Sequence, residues 1–362
     1  MDKFYCNDNY KECFDEYTKK VLKRFGFSSE SAQREIVCIA NAGNVVAKKT
    51  YADFLFYKKI LRKNAYRDAF FMYLEAADIS VGDDGELKCA GNGYPLAFWP
   101  IGYYLVNYRC ESILLKCETI DVIENMPRTL RLKAALEMAA QCMLCIDTPG
   151  ALNLIGRILI EASESESLFN ELLPLINEVL SYEFCENVGL IRKISTKAEC
   201  RSSGDAFFRA AADNGYVYSC NNLASREALA ITDAQKAEDA CDEALQREID
   251  KHVDAYVHYL TQSADRYEPY AANKLGLFYM TGEVKAAGSK QKVYFKKRID
   301  TALAKEYFTK ATVFPDANSA WAYFNLIKYF ARDYKQNLDL MNEHMGYIKE
   351  LNPEVYNIAI EL

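Results

Sequence analysis

Histidines, cysteines and paired carboxylates are the residues from which metal sites and acid–base centres are usually built, and spacing decides whether a set could serve. The chain has three histidines, His252, His258 and His344. Six residues turn His252 and His258 about 240° apart on a helix, so they cannot share a metal; each reads as a solvated or half-buried side chain. Cys142-Met143-Leu144-Cys145 has CxxC spacing, but no second cysteine pair or histidine pair follows at a zinc-site interval, and core packing is the favoured reading. Asp83 and Asp84 lack the alternating oxygen ligands and terminal glutamate of a calcium loop and read as turn-stabilising. Gly91-Asn92-Gly93 is not followed by the last glycine of a dinucleotide fingerprint, and no lysine-serine or lysine-threonine phosphate loop occurs. Glu238, Asp239, Asp242 and Glu243 have the spacing and surroundings of a solvated helix face. No catalytic, metal or cofactor residue is assigned, and the chain reads as non-enzymatic.

One charge cluster stands against the balance of the whole. Lys285, Lys290, Lys292, Lys296, Lys297 and Arg298 belong to a chain with 44 Lys+Arg against 51 Asp+Glu, a net charge of −7. A mobile surface loop is the favoured reading of this segment, and docking to an acidic partner is the sharper one. The chain as a whole has no cationic surplus for general nucleic-acid or anionic-membrane binding. The first residues lack the basic and apolar regions of a secretory signal and no stretch approaches a membrane span, so a cytoplasmic location is expected. Twelve cysteines, from Cys6 to Cys241, are expected to be reduced small hydrophobes rather than a disulfide framework.

The elements that would carry such residues are helical. With 50% hydrophobic and 26% charged residues the chain is a folded one, and Gly 16 with Pro 8 in 362 residues is too little for a turn-rich β fold. A pattern recurs: Ala, an apolar residue four on, a small residue five on, and usually an apolar residue eight on. It is carried by Ala47, Tyr51, Ala52, Leu55; by Ala97, Ile101, Gly102, Leu105; by Ala151, Ile155, Gly156, Leu159; and by Ala271, Leu275, Gly276, Tyr279. Ser219, Leu223 and Ala224 begin a fifth, which Glu227 breaks. Offsets of four and eight share a helical face, and the small residue admits a neighbouring helix. Gly43, Gly93 and Gly215 precede these A helices and can end the helix before. A second pattern of aromatics and paired alanines marks B helices at Ala69 to Ala77, Phe207 to Ala212 and Ala304 to Ala311. Thr232-Asp233-Ala234-Gln235 can form a capping box for a helix reaching about Ala264. Asn9 to Phe25 and Asn337 to Leu351 are amphipathic candidates for the two ends.

These residues resemble the Sel-like repeat family, a relative of the tetratricopeptide repeat. The closest stretches are Ala271 to Gly282 for an A helix and Asp300 to Ala311 for a B helix. The resemblance spans roughly residues 29 to 330 and implies an all-α fold, a right-handed α/α superhelical solenoid of stacked helix pairs. Residues 1–362 would form one solenoid, with 1–28 and 331–362 as capping regions and degenerate repeats over 29–330. The leading positions 47, 97, 151, 219 and 271 lie farther apart than the roughly 34 residues of a tetratricopeptide unit, so insertions are expected near 80–93, 162–203 and 283–299. The first is read as a polar loop or small hairpin; in the second, Leu168 to Phe184 suggests an extra helix and Cys185 to Ser203 an irregular crossing.

By the same resemblance, the A-helix face turned away from its B helix lines a concave groove. Asn153, Asn221 and Asn273 stand two residues after successive leading positions, and an amide there can bond an extended peptide backbone. The same phase adds Trp99, Tyr103, Asn107 and Arg157. The asparagines either bind such a peptide or tie neighbouring repeats together. The implied function is a scaffold or adaptor for a protein or extended peptide; a peptide-sensing regulator is the alternative, and an enzyme with a dispersed active site comes third.

Overall fold

The structure, a computed structural model, describes residues 30–56, 65–82, 87–91, 93–107, 125–145, 148–186, 193–236, 243–286, 291–313 and 318–361. The Asn9 to Phe25 helix, Asp83, Asp84, Asn92, Glu238, Asp239, Asp242 and Lys290 lie outside them. Among the described residues the chain is all-α, with seventeen helices and two short two-stranded hairpins. It divides into two compact units, Met1–Asn214 and Gly215–Leu362.

The first unit contains α1 (Glu30–Asn41), α2 (Val45–Phe56), α3 (Ala65–Ala76), β1 (Ile79–Val81), β2 (Leu87–Cys89), α4 (Phe98–Val106), α5 (Arg128–Cys145), α6 (Pro149–Glu164), α7 (Glu166–Leu180), α8 (Glu183–Glu186) and α9 (Lys197–Asp213). Its chief contacts pair α2 with α3, α4 with α5 and α6 with α9. The pattern-bearing helix comes first in each pair, and the small residue is where the partner approaches. A Cβ on Gly102 would stand 2.7 Å from the Leu154 side chain and 3.2 Å from the Ala135 carbonyl oxygen. On Gly156 it would meet the Gly204 carbonyl oxygen and the Phe208 ring, both at 2.9 Å, so two glycines face each other where α6 crosses α9. The expected hairpin in 80–93 is present as β1 and β2, antiparallel with Ser80 opposite Lys88. Of the three glycines read as helix enders, Gly43 and Gly215 have positive φ of 97° and 84°. Gly93 serves instead as a close contact, where a Cβ would lie 1.9 Å from the Ala77 carbonyl oxygen.

The insertion between α6 and α9 holds the expected extra helix, α7. The irregular crossing expected over Cys185 to Ser203 is shorter than that: Glu183–Glu186 forms α8, and residues 197–203 open α9. The cause is local. Thr196 Oγ1 accepts from the Glu199 amide at 3.2 Å while Glu199 Oε2 accepts from the Thr196 amide at 3.0 Å, a reciprocal cap that contributes about 1 kcal/mol. Hydrogen bonds from Ser195 and Thr196 hold the Glu199 carboxyl below its ordinary pKa.

The second unit contains α10 (Val217–Lys236), α11 (Glu243–Ala264), α12 (Pro269–Thr281), β3 (Glu283–Val284), β4 (Val293–Tyr294), α13 (Thr301–Lys310), α14 (Ser319–Tyr329), α15 (Ala331–Lys335), α16 (Leu338–Leu351) and α17 (Pro353–Ala359). Here α10 pairs with α11, α12 with α13 and α14 with α16. The buried Phe308 ring lies where a Gly276 Cβ would approach it at 2.5 Å. The helix expected over Asn337 to Leu351 is α16, capped by Asn337 Oδ1 on the Leu340 amide at 3.1 Å.

Three expectations are corrected. The capping box at Thr232 does not form: α10 runs through it to Lys236, and the Thr232 hydroxyl bonds the Leu229 carbonyl at 2.9 Å within the helix. Ala228 and Ile231 hold this end of α10 against Ile249 and Val253 of α11, so burial carries the helix past the capping signal. The helix that follows is correspondingly shorter, 22 residues from Glu243. The described part of the basic segment, expected as a mobile loop, is built into a hairpin and a helical turn. Glu283 pairs with Tyr294 and Val284 with Val293 across a hairpin, and Lys296–Arg298 forms a turn of 3-10 helix. Gly282 makes this turn-back possible, with φ of 73° and the Phe295 backbone 2.8 Å from where a Cβ would be. Finally, Cys145 is disulfide-bonded, whereas Cys38, Cys89, Cys142, Cys185, Cys200 and Cys220 form no disulfide. Cys142 packs in the core as expected of it, but Cys145 ends α5 only half-buried. Cys185 and Cys200 match the expectation best: burial pushes both thiols up to about 12.

Candidate functional site

In the first unit, α4 and α6 pack on one another and bring four of the seven groove residues together. Trp99 is only 6% exposed; its indole covers Gly150 at the start of α6, where a Cβ would stand 2.9 Å away. Asn153, 2% exposed, is buried in α6. One turn farther along each helix the residues are half-buried: the Arg157 guanidinium of α6 lies over the Tyr103 ring of α4, 5.5 Å from its centroid. Phe56 at the end of α2 meets the other side of the cluster, edge-on to Tyr103 at 5.3 Å and to Tyr104 at 5.6 Å. Stacking over a ring favours the guanidinium by about 0.5 to 1 kcal/mol at such a site. Among the described residues Arg157 makes no ion pair, unlike Arg128, whose Nε and Nη2 clamp Glu161 at 2.6 and 2.5 Å. Asn107 lies at the end of α4 and bonds back to the Tyr103 carbonyl at 2.9 Å, capping its own helix.

In the second unit the two asparagines each reach a segment farther along the chain. Asn221 of α10 donates from Nδ2 to Glu268 Oε2 at 3.0 Å. Glu268, 7% exposed, is the N-cap of α12 and takes the Ala271 amide at 2.7 Å on the same oxygen. Asn273 of α12 accepts from Asn325 Nδ2 of α14 at 2.9 Å. The two bonds bridge 47 and 52 residues of sequence. Of the two roles open to the asparagines, joining neighbouring helices is thus occupied geometrically at both positions. Each amide keeps capacity beyond that bond: Asn221 Oδ1 is buried without a hydrogen-bond partner among the described residues, and Asn273 has both its N–H donors left. Asn325, buried at 4% exposure, carries this line onto α14, which the sequence pattern did not reach.

The histidines fall where expected, apart from one another in role. His252 is half-buried with Nδ1 2.6 Å from Glu227 Oε2, and His258 is exposed. His344 of α16 bonds the Tyr334 hydroxyl at 2.8 Å and lies against the Tyr323 ring at 4.7 Å between centroids. Burial lowers the His344 pKa, with Glu343 opposing. The unfolded chain therefore protonates this histidine first, near its ordinary value of about 6.5. Stability supplied by neutral His344 is complete above that pH, falls as pH drops through it, and levels off below the folded-state pKa. Thermal melts between neutral and mildly acidic pH should show a shallower loss in His344→Gln than in the parent.

Among the described residues no cluster of three or more His, Cys, Asp or Glu side chains could hold a metal ion, and no helix is long and apolar enough to cross a membrane. The first unit sets a tyrosine-backed guanidinium beside aromatic faces, and the second unit, taken by itself, sets hydrogen-bonding amides at its helix contacts. Comparison with protein-family models and with curated proteins finds no match for the chain.

Proposed function

We propose that the chain is a non-enzymatic interaction scaffold, a right-handed superhelical solenoid of Sel-like helix pairs that holds a protein segment or extended peptide on the concave face of its A helices. One observation supports this reading above the others: residues at one phase of successive A helices contact the next A helix in line. Trp99 meets Gly150, Tyr103 meets Arg157, and Asn273 meets Asn325. Such contacts keep the A-helix faces side by side within each unit, which is what a continuous binding surface needs. Half-buried Arg157, backed by Tyr103 and with no ion pair among the described residues, is preorganised for a carbonyl or carboxylate of the bound segment.

Hydrogen exchange on the full chain, with and without peptides selected from a random display library, tests the reading. Bound peptide should slow exchange in α4 and α6, or in α10 and α12, and Arg157→Ala should weaken peptides bound to the first unit by about tenfold, as loss of an anchoring arginine does. Protection confined to α3, α5, α9, α11 and α13, the B helices, would overturn it.

A further inference from the structure

The basic segment near the end of α12 makes a surface of its own. The β3–β4 hairpin folds back on the helix that precedes it: Phe295 donates to the Gly282 carbonyl at 2.8 Å, and Asp300 to the Tyr279 carbonyl at 2.8 Å. This return brings Lys285 and Lys292 within electrostatic reach of Lys274 on α12. Lys292 is also within electrostatic reach of the Tyr329 hydroxyl at the end of α14. Lys328 stands over that same Tyr329 ring, 5.1 Å from its centroid. The Asn273–Asn325 bond holds α12 and α14 together one residue before Lys274 and three before Lys328.

Four lysines thus gather at one end of the unit, with Glu283 the carboxylate facing them, bonded to Lys292 at 2.8 Å. Lys274, Lys285 and Lys328 make no ion pair among the described residues, in a chain whose net charge is −7. Lys274 is half-buried, its ammonium over the Tyr270 ring at 5.6 Å. Burial lowers its pKa, and the charges of Lys285 and Lys292 add to the effect while Glu283 opposes it. Like charges held together on a partly desolvated surface repel one another, and an incoming anion relieves that repulsion. Beside them α14 exposes Trp321, 40% accessible and edge-on to Phe324 at 5.8 Å, with Lys328 5.7 Å over the Phe324 ring. Aromatic surface next to cations suits a polypeptide, whose side chains supply both carboxylates and apolar contact.

We propose that this end of the second unit, built by α12, the β3–β4 hairpin and the end of α14, is a docking surface for an acidic extended protein segment. The proposal adds a partner chemistry to the scaffold reading and rests on it only in taking the chain to bind polypeptide. Arg298 stands outside this set, being already paired with Asp254 at 2.7 Å.

The test is fluorescence anisotropy on the full chain with a labelled oligoglutamate peptide and its oligoglutamine counterpart, over a salt series. Oligoglutamate should bind, oligoglutamine should not, and affinity should fall as salt rises. Replacing the exposed pair Lys285→Gln and Lys328→Gln should weaken binding about tenfold, given one lost charge contact each, and leave the melting temperature in place. Lys274→Gln should weaken it as well. A control with the same change of net charge, Lys251→Gln with Lys349→Gln, should leave affinity unchanged. Equal binding of the two peptides, or equal loss in the control, would overturn the proposal. So would tighter binding of single-stranded RNA or phosphatidylserine vesicles through the same lysines, which would reassign the surface to another class of partner. Peptides selected on α4 and α6 would still bind in any of those cases, so the scaffold reading is judged separately.

Discussion

Gly276→Leu should destabilise the second unit by about 3 kcal/mol or more, at the upper end of what overpacking a core usually costs. At 2.5 Å the first added carbon already overlaps the Phe308 ring, and three further carbons must then be placed. Relief by rotation is closed off because Phe308 is fully buried, with Ala304 and Ala320 in the same core and the Tyr329 ring stacked on it at 6.3 Å between centroids. Either the ring leaves its site, forfeiting about 2 to 3 kcal/mol of apolar burial, or α12 and α13 part. Gly276→Ala should cost less, because one methyl asks for a smaller shift. Urea unfolding of the parent and both variants measures this, and a leucine variant with the parental midpoint and slope would show that the helices do not meet there.

The second large effect should come from Glu268→Ala, at about 2 to 3 kcal/mol. The carboxylate does two jobs: it caps α12 through the Ala271 amide, about 1 kcal/mol, and it satisfies Asn221 Nδ2, whose orphaning in a buried place costs about 1 to 3 kcal/mol. Glu268→Gln keeps an acceptor at the same reach and should recover most of the loss. Asn221→Ala should cost about 1 kcal/mol, since it removes the donor and its unpaired Oδ1 together. Chemical denaturation ranks the three, and the geometry makes Glu268→Ala the most destabilising, Asn221→Ala the next and Glu268→Gln the least. A result in which Glu268→Ala lowers peptide affinity with stability intact would mean that this carboxylate faces a partner rather than Asn221.

The two Thr-x-x-Glu/Gln sites show how far local signals carry. Thr196 and Glu199 form the reciprocal cap; Thr232 and Gln235 present the same spacing and form none. The spacing of threonine and carboxylate or amide alone does not separate them. What does is the burial of Ala228 and Ile231 against α11, a helix that begins after the site, and the Thr196 signal was as readable as the one at Thr232.

The sequence by itself determined the helical class, the position of the pattern-bearing helices and the points of closest helix approach. The reason is that period and residue size act locally: an apolar stripe at offsets of four and eight needs cover, and Gly102, Gly156 and Gly276 leave room for only one kind of neighbour. Tertiary structure alone decided which helix that neighbour is, pairing α6 with α9 across the inserted α7. It also decided where polar side chains place their hydrogen bonds and charges. Asn221 and Asn273 find partners 47 and 52 residues away, and Arg298 finds Asp254 44 residues away. Asn325 repeats the 52-residue interval from Asn221 to Asn273, but Glu268 and Asp254 carry no periodic signature, because a polar group is satisfied by whichever donor or acceptor the packed chain brings within about 3 Å, and packing is a property of the whole unit.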